Sequence, residues 1–335
     1  MSAPGPGPTN APAPRAVIGG ASGYLGTALR DALRIDGYDV RAIGRSGADA
    51  GWDDPAGIRR LVDGSDLVIG LAGRRVDCRY TDRNREELLR SRVETTRALH
   101  RAIAESERPP AVWMNGSSAT AYRYALDRAQ TEDDGVIDTG FSPDITRIWE
   151  EELFAGDLPG TRRIALRTSL VLGRDAPVMR MLLLLARLGA GGPQIDGRWF
   201  PHRRYRGIGP HPTEPPKPGY VHSHGRQMFT WMHEHDFVEA VRFLRDHPEV
   251  DGPVNMASPH AVENRELMRT LRRAVHAPFG IPAWRFMLEP AMFVLRTEPE
   301  LVLKSRWVAP KRLLDAGFAF RFPDLDGAVQ EIRGR

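Results

Sequence analysis

The feature that most narrows the fold is a glycine repeat near the start of the chain. Gly20, Gly23 and Gly26 are spaced G-x-x-G-x-x-G. The apolar run Arg15-Ala-Val-Ile-Gly19 precedes them, and a helical pattern with Leu25, Leu29 and Leu33 on one face follows. A strand that turns into a helix through glycines at this spacing is suited to a dinucleotide. The first glycine permits the tight turn, and the second lets backbone approach a pyrophosphate. The third lets the helix pack near the sheet, and the helix N-terminus attracts the anion. Gly20, Ser22, Gly23, Tyr24, Leu25 and Gly26 are therefore candidate cofactor-binding residues.

The rest of the chain continues the alternation. Residues 37–45 read as a turn and a second strand, and 66–73 as a third strand. Residues 84–106 form a long charged helix whose apolar side holds Leu88, Leu89, Val93, Leu99 and Ile103. Residues 111–118 are a strand ending in small polar residues, 144–156 a helix and 164–172 a strand. Strands alternating with helices predict an α/β fold with a doubly wound parallel sheet. Past residue 175 the pattern changes. A helix at 177–189 is followed by a Gly-, Pro-, Arg- and His-rich stretch at 191–226 with little periodicity. A strand at 229–233, a helix at 234–246 and several short helices complete the chain. The expected architecture is a Rossmann-type doubly wound parallel sheet with a smaller C-terminal substrate domain. Residues 15–175 would form the dinucleotide-binding domain, with 227–251 returning to it, and 176–226 and 252–335 the second unit. Residues 1–14 contain five prolines and read as a disordered leader.

Composition removes several chemistries. Of 47 basic residues only Lys217, Lys304 and Lys311 are lysines. A Tyr-x-x-x-Lys dyad would need tyrosine at 213, 300 or 307, where Thr213, Glu300 and Trp307 stand. A phosphate loop of the G-x-x-x-x-G-K-[ST] type lacks its glycines ahead of Lys304-Ser305. The net charge of +4 is small for 335 residues, and the only dense basic stretch is at 198–206, so no nucleic-acid partner is expected. The longest aliphatic run, Met181 to Ala186, is far short of the roughly 20 residues of a membrane span. Cys78 is the single cysteine, which points to a reducing compartment, and a cytoplasmic location is expected.

Cofactor choice follows from the end of the second strand. NAD sites usually carry Asp or Glu there for the ribose 2′-hydroxyl. This chain offers Arg45 and then Ser46, and a guanidinium fork suits a 2′-phosphate, so NADP is the expected cofactor.

Several segments together resemble the extended short-chain dehydrogenase/reductases, and within them the atypical epimerase-like branch with a small C-terminal domain of unknown function. They are Gly19-Gly-Ala-Ser-Gly-Tyr-Leu-Gly26, Leu71-Ala-Gly73, Ser91-Arg-Val-Glu-Thr-Thr96 and Ser117-Ser-Ala-Thr-Ala-Tyr122. Further on come Trp149-Glu150, Leu166-Arg-Thr168, the run from Gly225 to His233 with Asp236, and Gly252-Pro-Val-Asn255. The ending from Ser305 to Phe318 is the most specific mark. The resemblance covers nearly the whole chain from Arg15. It implies that Ser118 holds a substrate oxygen beside the nicotinamide. It also implies that Leu71, Ala72 and Gly73 line the adenosine side, and that Arg167 and Thr168 flank the nicotinamide. The family's tyrosine and lysine would stand at positions 142 and 146, counting back from Trp149-Glu150, and here those are Ser142 and Thr146.

Two explanations of that gap stay open. Another group could exchange the proton. Tyr122 and Tyr124 follow Ser118, Glu132, Asp133 and Asp144 lie in the next loop, and Arg147 or Arg167 could lower a tyrosine pKa. Alternatively the protein binds NADP without turning it over, as a sensor, scaffold or assembly protein. In the first case the expectation is an NADP-dependent oxidoreductase or epimerase-like enzyme acting on a small polar metabolite.

Six of the ten histidines fall at 202, 211, 222, 224, 233 and 235. No metal is expected there, because no cysteine accompanies them and alternating strand positions explain the spacing. Arg198, Arg203, Arg204, Arg206 and Arg226 share the stretch, which suggests a lid whose arginines bind an anionic or polar substrate. A solvated loop or an oligomer contact would also account for it, and a homodimer is left open.

Overall fold

The computed structural model describes residues 12–197, 202–215, 223–294 and 298–334. Most of the proline-rich leader, Arg198 and His222 lie outside the described residues.

The first half contains β1 (Arg15–Gly19), α1 (Tyr24–Ile35), β2 (Asp39–Gly44), β3 (Ala50–Gly51), α2 (Pro55–Val62), β4 (Leu67–Gly70), α3 (Asp82–Ala104), β5 (Val112–Ser118), α4 (Phe141–Phe154), β6 (Arg162–Thr168) and β7 (Leu170–Leu172). The second half contains α5 (Pro177–Arg187), β8 (Gln194–Ile195), β9 (Met228–Phe229), β10 (Trp231–His233), α6 (Glu234–Asp246), β11 (Gly252–Met256), β12 (Val262–Glu263), α7 (Asn264–Ala274), β13 (Ala283–Trp284), α8 (Arg285–Val294), α9 (Glu300–Leu303), α10 (Lys311–Asp315) and α11 (Leu325–Ile332).

Seven parallel strands form the main sheet in the order β11-β6-β5-β4-β1-β2-β3. Ala16 to Ile18 and Leu67 to Ile69 are buried on every residue, as in a sheet covered on both faces. On one face Leu29 and Leu33 of α1 pack with Phe237, Val241 and Leu244 of α6. On the other, Ile58 and Val62 of α2 meet Leu99 and Ile103 of α3 and Trp113 of β5. The strand order reverses between β1 and β4, so a crevice opens there at the carboxyl ends of the strands. The α/β, Rossmann-type reading of the sequence therefore describes this chain.

One boundary moves. The sequence reading gives residues from 252 onward to the second unit. The structure instead uses Gly252–Met256 as the edge strand β11, with Asn255 opposite Arg167 and Met256 opposite Thr168. Leu313 and Phe318, just before and after the end of α10, join the same core. The physical reason is that β6 would otherwise end the sheet as a bare edge. The smaller C-terminal part has its own core, where Leu182 and Leu183 of α5 pack with Leu267 and Leu271 of α7 and Val329 and Ile332 of α11.

The described residues of the 191–226 stretch are tied down at several places, of which three involve buried or half-buried charges. The Arg85 guanidinium on α3 donates to the carbonyls of Arg203 (2.7 Å), Arg206 (2.6 Å) and Gly207 (2.9 Å). The buried Asp144 carboxylate on α4 accepts from Ile208 N (3.1 Å), Thr213 N (2.8 Å) and Thr213 Oγ1 (2.9 Å). At the base, Ser223 donates to Asp196 Oδ1 from its N (2.9 Å) and its Oγ (2.8 Å).

Replacing Asp144 with Ala leaves three donors without their acceptor. The expected result is a loss of about 2–4 kcal/mol in denaturant unfolding. It comes with faster hydrogen exchange at the amides of Ile208 and Thr213, while exchange in β1 and β4 stays as it was. Unchanged exchange at those two amides would show that the carboxylate does not hold the segment.

Candidate active site at the carboxyl ends of the sheet

The glycine loop is shaped by backbone crowding. Gly20 has φ +86°, and a Cβ there would stand 2.9 Å from Ala72 N. A Cβ on Gly26 would stand 2.3 Å from the Gly20 carbonyl oxygen. Ser22 and Gly23 are exposed, and α1 has neither a side-chain cap at Gly23 nor an acidic residue in its first turn. Its first amides are therefore uncapped and face open space, which fits a pyrophosphate. Leu71 and Ala72 are half-buried and Gly73 is exposed at the end of β4, beside this loop. The Tyr24 hydroxyl donates to Glu234, tying α1 to α6, and burial followed by this carboxylate holds its ionisation above the usual tyrosine range. Past the end of β2, Arg45 is exposed, and the nearby Asp39 and Asp49 pair with Arg41.

Ser118 ends β5 directly opposite Thr168 of β6. Its Oγ accepts from Thr120 N (3.2 Å) and Thr120 Oγ1 (2.9 Å). Two accepted bonds leave the hydroxyl's own hydrogen free to be donated outward. Thr168 is half-buried, with its hydroxyl on the Leu166 carbonyl (3.0 Å).

Arg167, beside Thr168 at the end of β6, reaches one of the two tyrosines. Its Nε and Nη2 grip Glu150 at 2.8 and 2.7 Å, and its Nη1 donates to the Tyr122 hydroxyl at 2.7 Å. Three of its five N–H donors are thus engaged inside the protein, and they hold Glu150 and Tyr122 in place.

The two tyrosines after Ser118 part company. Tyr122 is 1% exposed, and its hydroxyl donates to Asn255 Oδ1 at 2.9 Å. Burial pushes its pKa up against the opposing pull of Arg167. Tyr124 is half-buried and donates to Asp196 Oδ2 at 2.7 Å. Burial, then the bond to this carboxylate, push its pKa well above the usual range. Asp196 itself is buried and was not visible as a site residue, because it lies in an aperiodic segment far along the chain from its partner.

The loop carboxylates all have partners within the protein. Asp144 holds the 207–213 segment as described. Glu132 accepts from Asn255 N (2.8 Å) and Lys311 N (3.1 Å), fastening α10 to the sheet. Asp133 pairs with Arg312 at 3.3 Å, and Arg147 with Glu151 at 2.7 Å. On α4, Ser142 donates to Glu300 Oε2 (3.3 Å) and Thr146 to the Ser142 carbonyl (3.0 Å).

Two of the arginines expected in a lid are already neutralised. Arg203 pairs with Asp82 at 2.6 Å, and Arg204 with Glu289 at 2.9 Å and Glu298 at 3.3 Å. Arg206 and Arg226 are exposed. His233 is buried, accepts from His235 N and contacts Glu331 at 3.1 Å. Among the described residues no group of three or more His, Cys, Asp and Glu could hold a metal ion, and no helix is long and apolar enough to cross a membrane.

Comparison with known proteins agrees with this geometry. Residues 16–140 match the NAD dependent epimerase/dehydratase family, and residues 285–332 match a domain of unknown function, DUF1731. Epimerase family protein SDR39U1 of Bos taurus is 31% identical over 328 residues, covering 95% of this chain and 99% of that protein. Epimerase family protein YfhF of Bacillus subtilis is 25% identical over 322 residues, covering 93% and 96%. The crystal structure of human SDR39U1 (isoform2) with NADPH superposes with a TM-score of 0.79 at 28% identity, covering 96% of this chain and 99% of that one. The chain therefore belongs to the SDR39U1 epimerase family and has the extended short-chain dehydrogenase/reductase fold.

Proposed function

We propose that the protein is an NADP-dependent oxidoreductase or epimerase-like enzyme acting on a small polar metabolite. The observation that carries this reading is the conjunction at one sheet edge. There α1 presents uncapped amides at the switch point, and Ser118 presents a free hydroxyl hydrogen at the end of β5. The NADPH held by human SDR39U1 supports the same cofactor here. The amides of α1 and the open face of Gly23 would hold the pyrophosphate, and the Arg45 fork would hold the 2′-phosphate. When bound, the nicotinamide supplies a hydride donor or acceptor at the carboxyl ends of β5 and β6.

The chain's own residues do the remaining work. Ser118 donates to the substrate oxygen and fixes its orientation. Tyr124 exchanges the proton, with Asp196 orienting its hydroxyl. Tyr122 is less suited, being sealed between Arg167 and Asn255. Because its pKa is raised, Tyr124 stays protonated throughout the neutral range; the same shift makes it a weak acid, so it gives up its proton only to an oxygen that gains alkoxide character as hydride arrives. Ser142 and Thr146 stand where the family's tyrosine and lysine are expected. A second reading, a non-catalytic NADP-binding sensor, scaffold or assembly protein, is favoured by one observation: the hydroxyls of both residues are already committed within the protein.

Three measurements separate these readings. Titrating NADPH against its intrinsic fluorescence, Arg45→Ala is expected to weaken binding about 10- to 100-fold while leaving NADH affinity unchanged. Equal loss for both cofactors would remove the 2′-phosphate role. Across a panel of carbonyl substrates, Tyr124→Phe is expected to lower turnover roughly 10²- to 10⁴-fold with NADPH affinity intact. The wild-type reduction rate should show no loss attributable to Tyr124 below pH of about 10, where an unperturbed tyrosine ionises. Bound NADPH that never changes its absorbance across the panel would instead establish the second reading.

A further inference from the structure

Arginine does much of the polar fastening in this protein, and several guanidiniums reach three acceptors within it. Arg85 ends on the carbonyls of Arg203, Arg206 and Gly207, and Arg162 on those of Leu244, Arg245 and Val250. Arg167 is held by Glu150 and Tyr122.

Arg92, midway along α3, is different. Its Nη1 donates to the Leu88 carbonyl one turn back in its own helix, at 2.8 Å. Its guanidinium carbon lies 5.0 Å from the centre of the Trp149 ring on α4. The Gly73 backbone flanks it, and a Cβ on that glycine would stand 3.3 Å from Arg92 Cγ and 3.6 Å from Nη1. Among the described residues no carboxylate pairs with it. The segments 198–201, 216–222 and 295–297 contain no Asp or Glu in the sequence. A guanidinium has five N–H donors, so most of this one's are unclaimed by the described residues.

The charge state sharpens the point. Burial pushes the Arg92 pKa down to about 10, opposed by the Tyr80 and Cys78 side chains. Burial raises the pKa of both neighbours, so neither carries a charge at neutral pH. Arg92 remains a cation, half-buried, with an aromatic face and no counter-charge. Such an arrangement costs desolvation energy unless an anion joins it.

Its location indicates which anion. Gly73 follows Ala72, whose backbone abuts Gly20 of the dinucleotide loop. The Trp149 ring beneath the guanidinium lies against Gly116, where a Cβ would meet Trp149 Cη2 at 2.9 Å, and Gly116 is two residues before Ser118 in β5. The guanidinium thus sits by the carboxyl ends of β4 and β5, between the loop that fits the cofactor and the hydroxyl that fits the reacting oxygen.

We propose that Arg92 anchors an anionic group of the substrate, a carboxylate or a phosphate monoester, at the carboxyl ends of β4 and β5. The proposal rests on the reading of that edge as the reaction cleft. It moves recognition of negative charge from the 198–226 segment, where Arg203 and Arg204 are already paired, to α3.

Malonate and inorganic phosphate serve as probes, titrated calorimetrically into the full-length protein with and without saturating NADPH. The wild-type protein is expected to bind at least one of them. Arg92→Met should weaken that binding roughly 10- to 100-fold, and Arg92→Lys, which keeps the charge but loses the fork, by less. NADPH affinity should stay within about twofold in both variants, since Arg92 is directed at the substrate and not the cofactor. Arg92→Lys also guards against a fold defect in Arg92→Met, with thermal unfolding measured for each. Three results would overturn the proposal. The wild type could bind neither probe, both variants could bind a probe as the wild type does, or the variants could lose NADPH affinity to the same degree as probe affinity. Failure of the wild type to bind NADPH while a probe still binds through Arg92 would remove the cofactor reading and leave the anion site standing.

Discussion

The closeness of α1 to β1 is the constraint on which the rest of the molecule depends. No side chain fits between the Gly26 α-carbon and the Gly20 carbonyl, and Gly20 itself is pressed against the backbone of Ala72. Three segments that are distant in sequence therefore converge with backbone alone between them. The convergence fixes the helix axis so that its first amides point out of the sheet at the switch point. It also fixes the distance to α6, which packs on the same helix and is joined to it through Tyr24 and Glu234. A single methyl group at either glycine would push apart the elements that make the crevice.

The opposite side of the crevice is organised by charge. Arg167, Glu150, Tyr122 and Asn255 form a connected set that links β6, α4, the turn after β5 and β11. Burying an ion pair is costly in desolvation, and two-point geometry with a further bond to the Tyr122 hydroxyl is what makes it tolerable. Such a set contributes more to the uniqueness of the arrangement than to its free energy. Its neighbours Ser117 and Ser118 inherit a defined strand end: Ser117 donates to Glu150, while Ser118 keeps a hydrogen for donation. One hydroxyl is held by the protein and the next is left available, as the alternation of a strand requires.

The parts of this organisation that were legible in the sequence are those written locally. Glycine spacing, short buried apolar runs and alternating helices define the Rossmann-type sheet, because each signal arises within a few residues of chain. What remained hidden depends on contacts between distant segments. Residues 252–256 contain a glycine and a proline and look unlike a strand, and only the open edge of β6 explains why they form one. Tyr122 and Tyr124 are two residues apart and would share a face in an extended strand. Both follow the helical turn at Ala119–Ala121 rather than a strand, and one enters the core while the other meets Asp196. Asp144 and Glu132 look like spare carboxylates in the sequence, yet both accept backbone amides from elements far along the chain. Arg92 is indistinguishable by pattern from the solvated arginines of the same charged helix. Gly73 and Trp149, which define its surroundings, come from a different strand end and a different helix.

The junction of Asp196 with Ser223 has a consequence for how the chain tolerates change. These two residues meet at 2.9 Å, so the intervening polypeptide begins and ends at nearly the same point. For such a closed excursion the entropy of bringing the ends together grows only with the logarithm of its length. Residues can therefore be added between them at a loop-closure cost of about a kilocalorie per mole, whereas removing the 203–213 part would also lose its bonds to Arg85 and Asp144. The junction is thus a point where added chain is tolerated while the strand ends below stay in register.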